Sequence, residues 1–293
     1  MRSRNAHWAF LAPFATLFAL FFVAPILYAT YQSTRKVDYL GAGGLGGRRE
    51  VFAGLENYRT ALTDQAFLES LQRVLLFGAV QVPLMIALAT TLALLLESGA
   101  ARGARFFRAA YFLPYGVPGV IASILWGFLY VPGISPIVSV LGEVGLDVNF
   151  LGSGTVLWSI VNIVTWEFAG YNMLVIVAQL QSIDGSLYES ARMDGATGWQ
   201  MARYIKLPLV RPALVLTTVF SIIGTLQLFS EPLILKTIST GITSDFTPNM
   251  SAYSEAFVNN NYHLAAAQSV IVAVIALVLS FGFLRIVKRR ADR

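Results

Sequence analysis

The chain has 293 residues, 56% of them apolar and only 13% charged, about half the roughly 25% charged of a soluble domain. Its mean hydropathy is +0.64, and so few charges cannot cover a water-exposed surface of this size, which excludes a soluble enzyme. The formal net charge is +5, carried by short basic clusters between apolar runs, a pattern of membrane orientation rather than of a nucleic-acid surface.

A helix needs about 20 apolar residues to cross a bilayer, and six runs qualify: 8–31, 71–96, 109–130, 156–180, 209–233 and 265–287. Helix is the one conformation that satisfies the backbone of such runs in lipid without a closed barrel. The first run exceeds the 7–15 residues typical of a signal-peptide core, and Pro25-Ile26-Leu27-Tyr28 has no small-residue cleavage pattern. Residues 32–70 then form the first external loop. Within it, residues 41–46 match G-x-G-x-x-G, but they follow a membrane span and precede Arg48-Arg49. Lacking a strand before and a helix after, they read as loop.

Prolines stand in or beside the spans at positions 13, 25, 83, 114, 118, 208, 212 and 232, where neighbouring groups in a bundle can satisfy the freed carbonyls. Gly116, Gly119 and Ser123 would let the third helix approach a neighbour closely. Lys and Arg divide 14 to 7 between the two sides of this topology, which puts both termini in the cytoplasm. The chain has no cysteine and no P-loop motif, so disulfides and thiolate sites are excluded and the chain cannot bind ATP through a P-loop of its own. The two histidines, His7 and His263, have no second metal ligand at a convincing spacing and read as polar or interfacial side chains. No metal site is expected.

Residues 182–208, between spans four and five, have a grammar of their own. Ser186 and Glu189 form a capping-box pattern that predicts a helix start at Ser186, and Gly195 stops that helix as a left-handed residue would. Thr197 and Gln200 form a second box opening a short helix, and Pro208 should interrupt or kink the chain as it re-enters the membrane. The result is a compact two-helix knuckle at the membrane surface, built for docking. Glu189-Ser190-Ala191, then Gly195 after three residues, then Ile205-x-Leu207-Pro208 after nine more, resembles the E-A-A…G…I-x-L-P loop of permease subunits of binding-protein-dependent ABC importers. Ser190 stands where that family usually has Ala. Asp194-Gly195-Ala196 and the preceding Leu180-Gln181-Ser182-Ile183 are similar to its carbohydrate-uptake branch, the relatives of maltose and glycerol-phosphate permeases.

The resemblance implies an all-α membrane protein, one transmembrane permease domain over residues 1–293 with six helices and a cytoplasmic coupling loop between helices four and five. It implies a prokaryotic cytoplasmic membrane and a non-enzymatic transport role. The partners would be a second homologous permease, two ATPase subunits that bind ATP and Mg2+, and an external solute-binding protein that delivers a sugar, an oligosaccharide being the reading preferred. Glu189, Ser190, Ala191, Asp194, Gly195, Ala196, Ile205, Leu207 and Pro208 would couple this chain to the ATPase.

An ionisable residue at mid-span is costly, by about 2.5–3.5 kcal/mol on insertion scales, and faces the bundle interior. Glu167, with Trp166, Tyr171 and Asn172, is therefore expected to line the substrate path, together with Gln227, Phe229 and Glu231 from span five. Aromatic faces and hydrogen-bonding groups suit a sugar. An ATPase-independent secondary transporter or channel explains the spans and Glu167 but leaves the 182–208 pattern without a purpose.

Overall fold

A computed structural model describes residues 6–39, 47–98 and 102–291 of the chain. The first run is helical throughout, as α1 (Ala6–Phe18), a π-helical turn (Ala19–Val23) and α2 (Ala24–Ser33). The π turn stands just before Pro25, whose missing N–H and crowded ring are eased by the wider turn. None of the apolar stretch of this helix is buried within the chain, and Phe14, Phe18 and Phe22 stack along it at 5.9 and 5.4 Å.

Residues 32–70, expected as the first external loop, have structure of their own. Strands β1 (Arg35–Tyr39) and β2 (Arg48–Phe52) pair antiparallel from Arg35↔Phe52 to Tyr39↔Arg48. Helix α3 (Glu56–Thr63) follows. Asn57 ties the pieces together: its Nδ2 donates to the Ser33 and Arg35 carbonyls at 2.8 and 2.6 Å, while Lys36 pairs with Glu56 at 2.6 Å. The glycine run 41–46 lies outside the described residues.

The chain divides into two compact units. One holds the chain up to Leu71 with Pro248–Ile275, and the other holds Gln72–Thr247 with the chain from Ala276. In the first unit Phe67, Ala61, Met250 and Ala267 are buried, and Ser251 Oγ donates to the buried Gln268 Oε1 at 3.3 Å. His263, also buried, meets the Gln32 carbonyl at 3.1 Å through Nδ1.

The second span belongs to α4 (Gln65–Leu96), which carries Pro83 inside it. The third expected span is broken. Helix α5 (Ala104–Phe112) and a 3-10 turn (Leu113–Gly116) meet α6 (Gly119–Tyr130) at an angle of 98°. Pro118 causes the break: Val117 is forced to an extended backbone (ψ 123°) as the residue before a proline, and Pro118 then starts the next helix. Among the described residues, five helices are long and apolar enough to cross a membrane, and six if the bent pair is one crossing.

Close packing after the break uses Gly119, as expected, where a Cβ would lie 3.1 Å from Glu231 Oε1, but not Gly116. A Cβ on Gly116 would meet nothing within 4 Å, whereas one on Gly127 would come 2.9 Å from Ile238 Cδ1. Ser123 Oγ donates back to the Gly119 carbonyl at 2.7 Å.

Helix α7 (Pro136–Glu143) leads to α8 (Val156–Gln181), the most buried of the long helices. At Gly170, α8 approaches α5 so closely that a Cβ would overlap the Tyr111 carbonyl. Then come α9 (Gly185–Met193), α10 (Gly198–Met201), a second π turn (Ala202–Lys206) and α11 (Leu207–Leu209). This π turn also ends just short of a proline, Pro208, and the helix breaks two residues later at Val210 (ψ 1°), near the interruption or kink expected there. The fifth run is split at 227–229 into α12 (Arg211–Leu226) and α13 (Ser230–Leu235), and α14 (Pro248–Phe257) and α15 (Tyr262–Ala291) complete the chain. Ala89, Ala93, Leu96, Met173, Ile176, Val177, Leu180 and Val210 form one apolar core where α4, α8 and the start of α12 converge.

Candidate functional site

The knuckle after α8 forms, with a different first cap. The box expected of Ser186 and Glu189 does not close. Asp184, two residues earlier, is the N-cap, its Oδ1 accepting the Ser186 N–H at 2.9 Å. A carboxylate satisfies the first-turn amides and also favours the positive end of the helix, so it outcompetes a hydroxyl at that point. The same bond holds the Asp184 carboxyl below the usual aspartate range. The Glu189 side chain makes no hydrogen bond or ion pair among the described residues and stands exposed beside Ser190, with Ala191 half-buried.

Gly195 ends α9 as expected, with φ +78°. Its N–H donates to the Arg192 carbonyl at 3.0 Å and that of Ala196 to the Ala191 carbonyl at 2.9 Å, the paired closure of a Schellman motif. The second capping box is complete: Gln200 N–H donates to Thr197 Oγ1 at 3.3 Å and Thr197 N–H to Gln200 Oε1 at 2.7 Å. Asp194, Gly195, Ala196 and Ile205 surround a hollow of about 290 Å3 together with Gln200 and Tyr204. Leu207 and Pro208 lie beyond it in α11, leading into α12. Outside the apolar runs, the knuckle leaves Met193 87%, Trp199 70% and Tyr204 68% exposed.

Its base is held by Glu97, just past the end of α4. Glu97 Oε1 accepts from Arg108 Nη2 of α5 and, at 3.2 Å, from Gln181 Nε2 at the end of α8. Lys206 Nζ donates to the Glu97 carbonyl at 2.7 Å and lies 5.5 Å from the centre of the Tyr188 ring on α9. Burial pulls the Lys206 ammonium below the ordinary lysine value, against the opposing pull of Glu97. No signal in the sequence singled out Glu97, Arg108 or Lys206 as partners, because they lie far apart along the chain.

A second feature is a cavity of about 420 Å3 in the same unit, walled by α4, α8, α12 and α13 and by the 3-10 turn after α5. Of the residues expected on a substrate path, Tyr171, Asn172, Gln227, Phe229 and Glu231 line it. Trp166 does not, and its ring packs edge-on against Trp126 at 5.7 Å. Glu167 sits behind the wall, 5% exposed. A Cβ on Gly119 would lie 3.1 Å from Glu231 Oε1 and 3.6 Å from Glu167 Oε1, so the break in the third span brings a bare glycine up to both carboxyls. The sequence reading missed Gln81 of α4, detectable as a lone amide in an apolar run, and Tyr115, which stacks on Tyr171 at 4.7 Å. Gln81 Oε1 accepts from Thr225 Oγ1 at 3.3 Å.

Residues 74–293 match the family described as binding-protein-dependent transport system inner membrane component. The chain belongs to that family. It is a multi-pass permease subunit of an ABC importer, a transport component rather than an enzyme. The permease is 32% identical to the lactose transport system permease protein LacF of Rhizobium radiobacter, over 94% of this chain and 91% of that one. It is also 32% identical to the sn-glycerol-3-phosphate transport system permease protein UgpA of Agrobacterium fabrum, over 96% and 94%. Its fold matches that of a bacterial ABC transporter involved in the import of the acidic polysaccharide alginate, with a TM-score of 0.81 at 22% identity, covering 98% and 96% of the two chains. Another structure of the alginate transporter, in complex with an alginate pentasaccharide-bound periplasmic protein, aligns with a TM-score of 0.82.

Proposed function

We propose that this permease imports a sugar across the cytoplasmic membrane, with both termini inside the cell and α9 acting as the coupling helix that seats in an ATPase partner. Two such ATPase subunits would hold ATP and Mg2+, a second permease would complete the path, and an external binding protein would deliver the solute. Binding of ATP closes the ATPase pair and carries the docked helices with it, favouring one arrangement of the spans. ATP acts through its differential affinity for the two arrangements, since a ligand shifts an equilibrium by no more than that difference.

One observation carries the reading. A folded, well-capped helix pair outside the apolar runs offers Met193, Trp199 and Tyr204 to solvent, a costly exposure for a surface with no partner. The names of LacF and UgpA support a small polyhydroxylated solute, and the cavity with its tyrosines and amides supports the same class. The test is photocrosslinking of Met193→p-benzoyl-phenylalanine in the assembled importer. The expected product joins the permease to its ATPase subunit in an ATP-sensitive yield. Crosslinks to lipid alone, or to an external protein, would refute the assignment.

A further inference from the structure

Relatives and structural neighbours span neutral and anionic solutes by name: lactose on one hand, glycerol phosphate and an acidic polysaccharide on the other. The wall of the 420 Å3 cavity distinguishes between them. Its polar groups are neutral amides and hydroxyls, among them Gln81, Asn172, Ser221 and Gln227, and its one charged-type side chain is Glu231. No Lys, Arg or His lines it among the described residues. Behind Glu231, across the bare face of Gly119, stands a second carboxyl, Glu167, whose Oε2 is buried with no hydrogen-bond partner.

We infer that this permease passes neutral sugars and rejects carboxylated or phosphorylated ones, with Glu231 the residue that enforces the choice. The inference rests on the reading that the cavity lies on the solute path. A phosphate or carboxylate entering it gives up its water and finds no counter-charge, which is the expensive case for an ion. It also meets a carboxyl pair that repels it, or at best a protonated pair that offers no positive charge. A neutral sugar gives up far less: its hydroxyls exchange water for the amides, and its C–H faces meet Tyr171 and Tyr115. The Glu231 carboxylate accepts hydrogen bonds from sugar hydroxyls, which an anionic substituent cannot supply.

The experiment uses the complete permease–ATPase complex in nanodiscs, without binding protein, so that selectivity is read from the membrane subunits. Binding of matched pairs, lactose with lactobionate and maltose with maltobionate, is followed by saturation-transfer NMR. The expected result is binding of the neutral member at least about 100-fold tighter than its carboxylated counterpart, with Glu231→Gln shrinking that gap by about tenfold or more. Equal binding within a pair, or a gap that Glu231→Gln leaves unchanged, overturns the inference while leaving the sugar-importer reading intact. Binding of neither member of either pair overturns that reading, and this inference with it.

Discussion

Because Asp184 rather than Glu189 caps α9, the charge at position 189 can be removed without touching the fold. The Glu189 side chain is exposed and makes no bond within the described chain, so Glu189→Gln should change the stability of the isolated permease by less than about 0.5 kcal/mol. A carboxylate buried against a cation or an amide of a docked partner is different. Truncating such a pair costs about 2–5 kcal/mol, much of it from stranding the partner's group. The lower end of that range corresponds to roughly 30-fold weaker binding. The assay is ATPase affinity for the nanodisc-embedded permease, alongside ATP-driven uptake and a thermal unfolding curve for the permease alone. Expected are an unchanged melting curve, affinity reduced at least about 30-fold, and uptake lost in proportion. A variant that binds its ATPase and transports as wild type does would show that charge at 189 has no part in docking.

Gly170→Ala should destabilise the permease by about 2 kcal/mol or more, since a Cβ overlapping the backbone carbonyl of Tyr111 sits at or above the upper end of the roughly 1–3 kcal/mol that overpacking costs, well beyond the roughly 1 kcal/mol helix gain of alanine. Gly224→Ala in α12, with open space around its Cβ, should be neutral or stabilising; denaturation in mixed detergent reads both. Acid should loosen the start of α9. The Asp184 carboxyl is lowered by its bond from Ser186, so its contribution is complete above the unfolded aspartate value and is lost as pH falls through the lowered one. Asp184→Asn, which caps without titrating, should resist pepsin cleavage beside the exposed Leu187 better than wild type near pH 2, and equal cleavage would refute the capping role.

The spans were legible because 20-residue apolar runs admit few structures in lipid, and the knuckle because caps and a left-handed glycine are local rules. Gly195 and the Thr197–Gln200 box fell where those rules put them. The first cap did not, because Asp184 and Ser186 both offer oxygens within two residues and spacing alone does not rank a carboxylate above a hydroxyl. The break at Pro118 was hidden by an apolar run that hydropathy counts as one span, although Pro114 and Pro118 mark it. The hairpin at Arg35–Phe52 was hidden because its strands are short and charged. Within the cavity, the polar members of α8 and α13 were readable as outliers in apolar sequence, but Trp166 was not separable from Tyr171. Five positions on a helix set two side chains about 140° apart, and the sequence does not say which one faces inward.

One carboxylate at the base of the knuckle is shared among chain segments that have no sequence proximity. Glu97 accepts from Arg108 and Gln181, and its own backbone receives Lys206. A load applied at α9 would reach the ends of α4 and α8 and the middle of α5 through the contact of Tyr188 with Lys206 and the bonds that meet at Glu97. These three helices then shift together or shed one of those contacts, so Glu97 works less as a tether than as the hub on which three levers turn.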